Sequence, residues 1–370
     1  MKPIASRHFE VADFDDALDL YYRNGWTDGL PIVPPTEEKV SQFLEAVGRE
    51  PDEIIADYYT YRRVVTLEKV AINAVMAGCL PEYFPVVLAI VEAIAHEEGG
   101  LHGGNASTGG MALGFVVNGP IRKQIDMNFR GNTLGPGNRA NSTIGRAVRL
   151  CQINAMGAVP GNGNQPLPDR EILDRSTLGQ PAKYAGYHMA ENEDDFPTLQ
   201  PLHVELGFKR DQNVVTVFPT CGHIQISAHE DHGADAIVDT LAHYLVGAGK
   251  LAKSFCAIAI PPEAAEHFVR DGWDKSDIRK ALYERASRSV AWAKREGWVS
   301  SAGPIDARGG EASTEDELES ISVAASPDDI LLIIAGGPAG AFLHAFLPYA
   351  GSYRSKVIQP SQLLATGDLS

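Results

Sequence analysis

The chain has 370 residues and a mass of 39.8 kDa, room for two average domains or one large α/β unit. Its 44% hydrophobic and 22% charged residues are the proportions of a folded globular protein and exclude a long disordered or fibrous chain. The 32 basic and 48 acidic residues leave a net charge of -16 and a pI near 5.1; such a surface repels phosphate backbones and anionic headgroups, so neither nucleic acid nor membrane is expected as a partner.

Residues 1–16 turn polar and acidic without the apolar run of a secretory signal, and no apolar stretch approaches the roughly 20 residues that span a bilayer. Cys79, Cys151, Cys221 and Cys256 form no CxxC pair and no disulfide-type spacing. A cytoplasmic location is the expectation.

Phe14, Ala17, Leu18 and Tyr21 fall at helical spacing and predict a first helix. The glycines and prolines of Asn24-Gly25-Trp26-Thr27-Asp28-Gly29-Leu30-Pro31 end it. Thr36, ahead of Val40, Phe43 and Leu44, predicts a helix whose first-turn amides are capped by the threonine oxygen. Residues 67–78 and 82–96 are apolar on nearly every face, which predicts deeply buried helices and favours a homo-oligomer that would cover them. Region 1–100 is therefore expected to be helical.

From about residue 110 the pattern changes. The short apolar runs 113–117, 214–218, 255–260 and 330–335 predict strands buried on both faces, and helical patterns follow them. The expected fold is α/β, a mixed or mostly parallel sheet covered by helices, whose strand order the pattern does not give. Residues 101–307 would form the α/β core. Residues 308–328, rich in Glu, Ser, Gly and Ala, would be a surface linker, and 329–370 a C-terminal strand-turn-helix completing the unit.

Chemistry is expected first in the Gly- and Asn-rich region 99–163. Asn138 or Asn141 would cap a helix, and Arg139 in its first turn, with Arg146 further along, would join the free amides in binding a carboxylate or other small anion. Asn105 in the glycine-rich loop and Asn118 at a strand end would add polar contacts. The same residues can instead serve only as turn formers, with the arginines paired to surface carboxylates. There is no Gly-Lys-Ser/Thr loop and no Gly-x-Gly-x-x-Gly after a strand, so no nucleotide cofactor is expected.

A second group, Thr220-Cys221-Gly222-His223, follows the strand 214–218, at the end of a strand where α/β sheets collect ligands. His223 is placed to move a proton. Cys221, two residues away, is either an activated thiolate or a half-buried small side chain. His229 and His232, three apart, would form a metal site with His223 if further ligands joined them; otherwise they flank a helix capped by Asp231. Lys183 and Tyr184 beside Glu191, in an irregular acidic loop, would be able to shuttle a proton, or would be a solvated surface.

These residues lead to an enzyme of lyase or hydrolase type acting on a small polar, anionic substrate. Two alternatives stand beside it: a thiol-dependent oxidoreductase or sulfur-handling protein using Cys221, and a non-catalytic binding or assembly subunit. The need for a metal is left open.

Taken together, Gly25-Trp26-Thr27-Asp28-Gly29-Leu30-Pro31, Asn73-Ala74-Val75-Met76-Ala77-Gly78-Cys79, residues 134–147, the acidic loop 190–194 and Ala335-Gly336-Gly337 resemble a group of bacterial proteins found alongside or fused to UGSC-family (seleno)proteins, named for a Sec/Cys-Gly-Ser-Cys motif. The resemblance spans most of the chain. It implies a bacterial, enzyme-like protein with a link to thiol chemistry and a UGSC-family partner. The chain contains no Cys-Gly-Ser-Cys, and Thr220-Cys221-Gly222-His223 is its nearest approach, so the redox motif itself is not carried over.

Overall fold

The computed structural model describes residues 2–58, 63–95, 101–161, 174–228, 233–248, 254–296, 311–349 and 351–365. Helix α1 (Phe14–Arg23) starts on Asp13, and α2 (Glu37–Val47) starts on Thr36, whose hydroxyl accepts from the Lys39 amide as the sequence leads one to expect. A hairpin of β1 (Ile54–Tyr58) and β2 (Arg63–Thr66) leads into α3 (Leu67–Ala77) and then α4 (Phe84–Ile94). The N-terminal region is thus helical with one antiparallel hairpin inserted.

Next come β3 (Ala112–Asn118), α5 (Arg139–Asn154) with Asn138 as its cap, β4 (Tyr187–Ala190) and the long β5 (Val214–Ser227). They are followed by α6 (Ala234–Gly247), β6 (Cys256–Ile260), α7 (Pro262–Arg270) and α8 (Lys275–Arg285). The short pair β7 (Ser287–Ser289) and β8 (Ser320–Ser322) precedes β9 (Ile330–Ile334), β10 (Phe342–Pro348) and β11 (Arg354–Val357).

All four runs expected to be strands are strands, in a mixed seven-stranded sheet of order β4-β3-β5-β10-β6-β9 with β11 also on β5. Only β3 with β4 and β6 with β9 run parallel; the other pairs are antiparallel. The sheet curls until its edge strands meet: the Asn192 amide, just past β4, donates to the Ile334 carbonyl of β9 at 2.7 Å.

Curling accounts for the unbroken apolar runs. Val116, Met189, Phe218, Ala257, Leu331, Ile333 and Phe346 pack together on the inner face. Alternate residues point outward. Phe115, Val117, Val215 and Val217 meet α3, α4 and α5, whereas Ile258, Ile260, Leu332 and Ile334 meet α6, α7 and α8. Each central strand is therefore buried on both sides, the condition under which polar alternation disappears. The chain covers α3 and α4 itself, so their all-round apolar character requires no second copy.

Three sequence expectations are corrected. The described part of the expected linker 308–328 is built into the fold: Ser313 and Asp316 form a capping box on a short helix, Thr314–Leu318, and Ile321, Val323 and Ala324 are buried. The C-terminal segment supplies three strands rather than one. Finally, α6 starts at Gly233, and its Ala234 amide is held by the Asp271 carboxylate at 2.8 Å; Asp231 lies outside the described residues.

Where α5 crosses the 182–186 loop, the contact leaves no space for a side chain. A Cβ at Gly145 would lie 1.8 Å from the Ala185 carbonyl oxygen. Gly145→Ala is expected to cost about 1–3 kcal/mol through overpacking, despite alanine's better helix propensity. Thermal unfolding checks this, and an unchanged or raised melting temperature would refute the close contact.

Candidate functional site

The residues expected to act together fall into separate places. At the α5 N-terminus, Asn138 accepts from the Asn141 amide at 3.0 Å. Asn141 is fully buried and holds the chain crossing above it, accepting from Asn128 N and donating to the Asn128 and Thr133 carbonyls. Arg139 donates to the Gly78 carbonyl at 3.0 Å. Arg146 makes a forked pair with Asp28, both bonds 2.9 Å, and adds the Pro31 carbonyl at 2.7 Å. Asn141 and Arg146 are thus committed to tying α5 to neighbouring loops, while Arg139 is exposed and makes no ion pair among the described residues.

Lys183 and Glu191 are also apart. Lys183 Nζ lies 2.7 Å from both oxygens of Asp174, which also pairs with Arg149 at 3.0 Å, and it contacts the Ser176 hydroxyl. Burial pulls the Lys183 pKa down, partly opposed by Asp174. Asn105 and Lys183 border a cavity of about 20 Å³, room for a single water. Tyr184 is exposed.

Glu191 is only 1% exposed and accepts from Asn118 Nδ2, Leu202 N, Lys275 Nζ and Ile334 N at 2.7, 2.7, 3.0 and 3.3 Å. Those four donors use up a carboxylate's lone-pair positions. Lys275, itself buried, also donates to the Leu332 carbonyl. The pair closes the seam between the edge strands. The rest of the acidic loop is similarly engaged, Glu193 with Gly119 and Arg122, and Asp194 with Arg122 and Lys123.

His223 has a different setting. A register shift near Gly222 changes the course of β5, so that His223 pairs with Phe346 and Gln225 with His344 on β10. His223 therefore faces the same side as the inner residue Phe346, and His344 is its diagonal neighbour. Their rings stack with centroids 5.0 Å apart at 15°. The Tyr187 ring meets the His223 ring edge-on at 4.9 Å, and its hydroxyl donates to Gln180 Oε1 at 3.2 Å. Gln180 in turn donates to the carbonyls of Gly110, in the glycine-rich loop, and Thr220.

His344 was not singled out in the sequence. The only signal was its place two residues before Phe346 in an alternating strand, and which face that strand presents is a matter of register. His344 Nδ1 is buried and has no hydrogen-bond partner among the described residues. Burial, with the adjacent His223, pushes its pKa down to about 4, and burial also lowers that of His223. Both imidazoles are neutral at pH 7, each keeping one nitrogen able to accept a proton. Burial raises the pKa of the Tyr187 hydroxyl, keeping it protonated.

Cys221 adjoins this group, its thiol directed at the Leu347 and Pro348 carbonyls, both at 3.6 Å. The other three cysteines are buried, and burial pushes the thiol pKa of Cys79 and Cys256 up to about 12. One thiol per chain is expected to react with a disulfide reagent in the native protein and four after denaturation, as thiolate formation needs solvent. A native count of zero or above one would contradict this burial pattern.

His229 and His232, the other members of the expected metal site, lie outside the described residues. Among the described residues no group of three or more metal-ligating side chains occurs, and no helix is long and apolar enough to cross a membrane. No protein-family model matches the sequence, and no curated protein matches it.

Proposed function

We propose that the protein is a proton-transfer enzyme, of lyase or hydrolase type, acting on a small polar substrate at the His223–His344 pair. The observation that carries this reading is the stack itself: two imidazoles 5.0 Å apart on the inner face of the sheet, His223 reached by solvent though partly desolvated by its neighbours, and His344 half-buried with an unpartnered nitrogen. A neutral imidazole at neutral pH is a competent general base. His223 would take the substrate proton, His344 would sit behind it as a second acceptor, and the Tyr187 ring would hold the His223 ring in place. Arg146, expected to help bind an anion, is spent on Asp28, so the proposal retains proton transfer and a polar substrate and does not rest on the anion pocket. Lys183 is left in a supporting role beneath the loop that carries Gln180.

The test is incubation in deuterated water with a panel of small hydroxy acids, keto acids, esters and amides, read by proton NMR and mass spectrometry. At least one compound should exchange a C–H, lose water or be cleaved, and His223→Gln should abolish this. Equal conversion by wild type and His223→Gln would overturn the assignment. Cys221→Ser should remain active; loss of activity there would favour the thiol-dependent alternative.

A further inference from the structure

The histidine pair belongs to a face of the sheet that carries no formal charge. Strands β3, β4, β5, β6, β9 and β10 contain no Lys, Arg, Asp or Glu. The cations of β11, Arg354 and Lys356, pair with Val217 and Val215, which point outward to the helices. Side chains alternate along a strand and opposed residues share a face, so β5 and β10 present a row of inner pairs: His223 with Phe346, then Gln225 with His344, then Ser227 with Phe342. Phe346 is buried, whereas His223, Gln225, Ser227 and Phe342 are exposed, so the row leads from the packed interior to solvent.

The charged groups beside the loop from β9 to β10 are paired. Arg130, bridged to Gly336, lies 3.5 Å from Asp195, and Glu263 accepts from the Gly340 amide. Neither imidazole feels a formal charge: burial lowers the His223 pKa, and burial with His223 lowers that of His344, with no carboxylate or cation among the described residues shifting either. An anion on this face would lose water without meeting a counter-charge, and the net charge of -16 opposes its approach. A neutral hydrogen-bonding group is at hand instead. The exposed Gln225 side chain makes no hydrogen bond among the described residues; it stands opposite His344 and two residues along β5 from His223.

Resting on the histidine pair as the site of chemistry, we propose that its substrate is an uncharged carbonyl compound, an ester or amide rather than a carboxylate, whose carbonyl oxygen accepts from Gln225 Nε2 and whose apolar part lies towards Phe342. A side-chain amide offers the donor that a carbonyl needs, and a neutral carbonyl reaches it without the cost of desolvating a charge. The Phe342 ring is 44% exposed. Two residues along a strand cover about 7 Å, the reach of a single-ring compound extending from Gln225 to Phe342.

The probes are benzamide and benzoate, which share ring and carbonyl and differ in charge at pH 7. Binding is read from the His223 and His344 ring signals in nitrogen–proton correlation spectra, each assigned by its loss in His223→Gln or His344→Gln. Benzamide should shift both signals to saturation, and benzoate should bind more weakly by about tenfold or more. Gln225→Leu should weaken benzamide by about 2–10-fold, the worth of one hydrogen bond. No saturable shift with benzamide, benzoate binding equally or more tightly, or undiminished affinity in Gln225→Leu would overturn the proposal; the wild-type comparison decides it even if that variant does not fold. Turnover separates this proposal from the reading beneath it. Conversion of hydroxy or keto acids with every ester and amide left intact would overturn the neutral substrate alone, whereas selective benzamide binding with no compound converted would uphold the preference for a neutral ligand and overturn proton transfer.

Discussion

Replacing Glu191 by alanine is expected to destabilise the protein by about 3–5 kcal/mol, the range for breaking one side of a buried ion pair. Lys275 is 2% exposed and would be left as a buried charge whose remaining partners are the Leu332 carbonyl and Glu205, 3.4 Å away. Asn118 Nδ2 would keep only Glu193 as acceptor, and the Leu202 and Ile334 amides would lose the Glu191 carboxylate at the same time. Since these groups belong to β3, β9 and the segment after β4, the damage is to the closure of the sheet. Denaturant unfolding of Glu191→Ala, Lys275→Met and the double variant measures it. The double variant should be less damaged than the two single losses added together, because residues in contact are coupled. Additive losses, or a near wild-type Glu191→Ala, would mean that the pair does not hold the seam.

His223→Gln is expected to lower turnover by about 10²–10⁴-fold, the usual worth of a positioned general base. His344→Gln should have a smaller effect on turnover and a distinct effect on stability. Folding holds the His344 pKa at about 4, against about 6.5 in an unfolded chain. Between those values the unfolded chain binds the extra proton, so stability rises with pH across the window and is lost on acidification through it. Above the unfolded value the contribution is fully present. Melting temperatures of wild type and His344→Gln should therefore diverge near neutrality and converge towards pH 4. Parallel curves would show that His344 is not held neutral by the fold.

Much of the architecture was legible in the sequence because its causes are local. Thr36 caps the helix it precedes, Asn138 rather than Asn141 caps α5, and the four apolar runs are strands, since capping and two-sided burial leave marks a few residues long. The segment around 311–328 was misread because its Ser and Glu content hid a capping box and three buried apolar residues. The candidate site was legible only in part. His223 stood out by its position after a strand, whereas His344 lies 121 residues further on and meets it through strand register. The acidic loop was attractive as a reservoir of catalytic carboxylates, and its partners proved to be Arg122, Lys123 and Lys275, residues distant in sequence.

By itself, the sequence determined the α/β class, the helix start at Thr36 and the acidic character of the surface, all of which follow from composition and short-range periodicity. Only the tertiary structure decided the strand order, the curl that brings β4 against β9, and which charged residues are spent on each other. Those outcomes depend on pairing between segments as much as 143 residues apart, as in the bond from Ile334 to Glu191, and side-chain alternation alone cannot say which strand lies next to which.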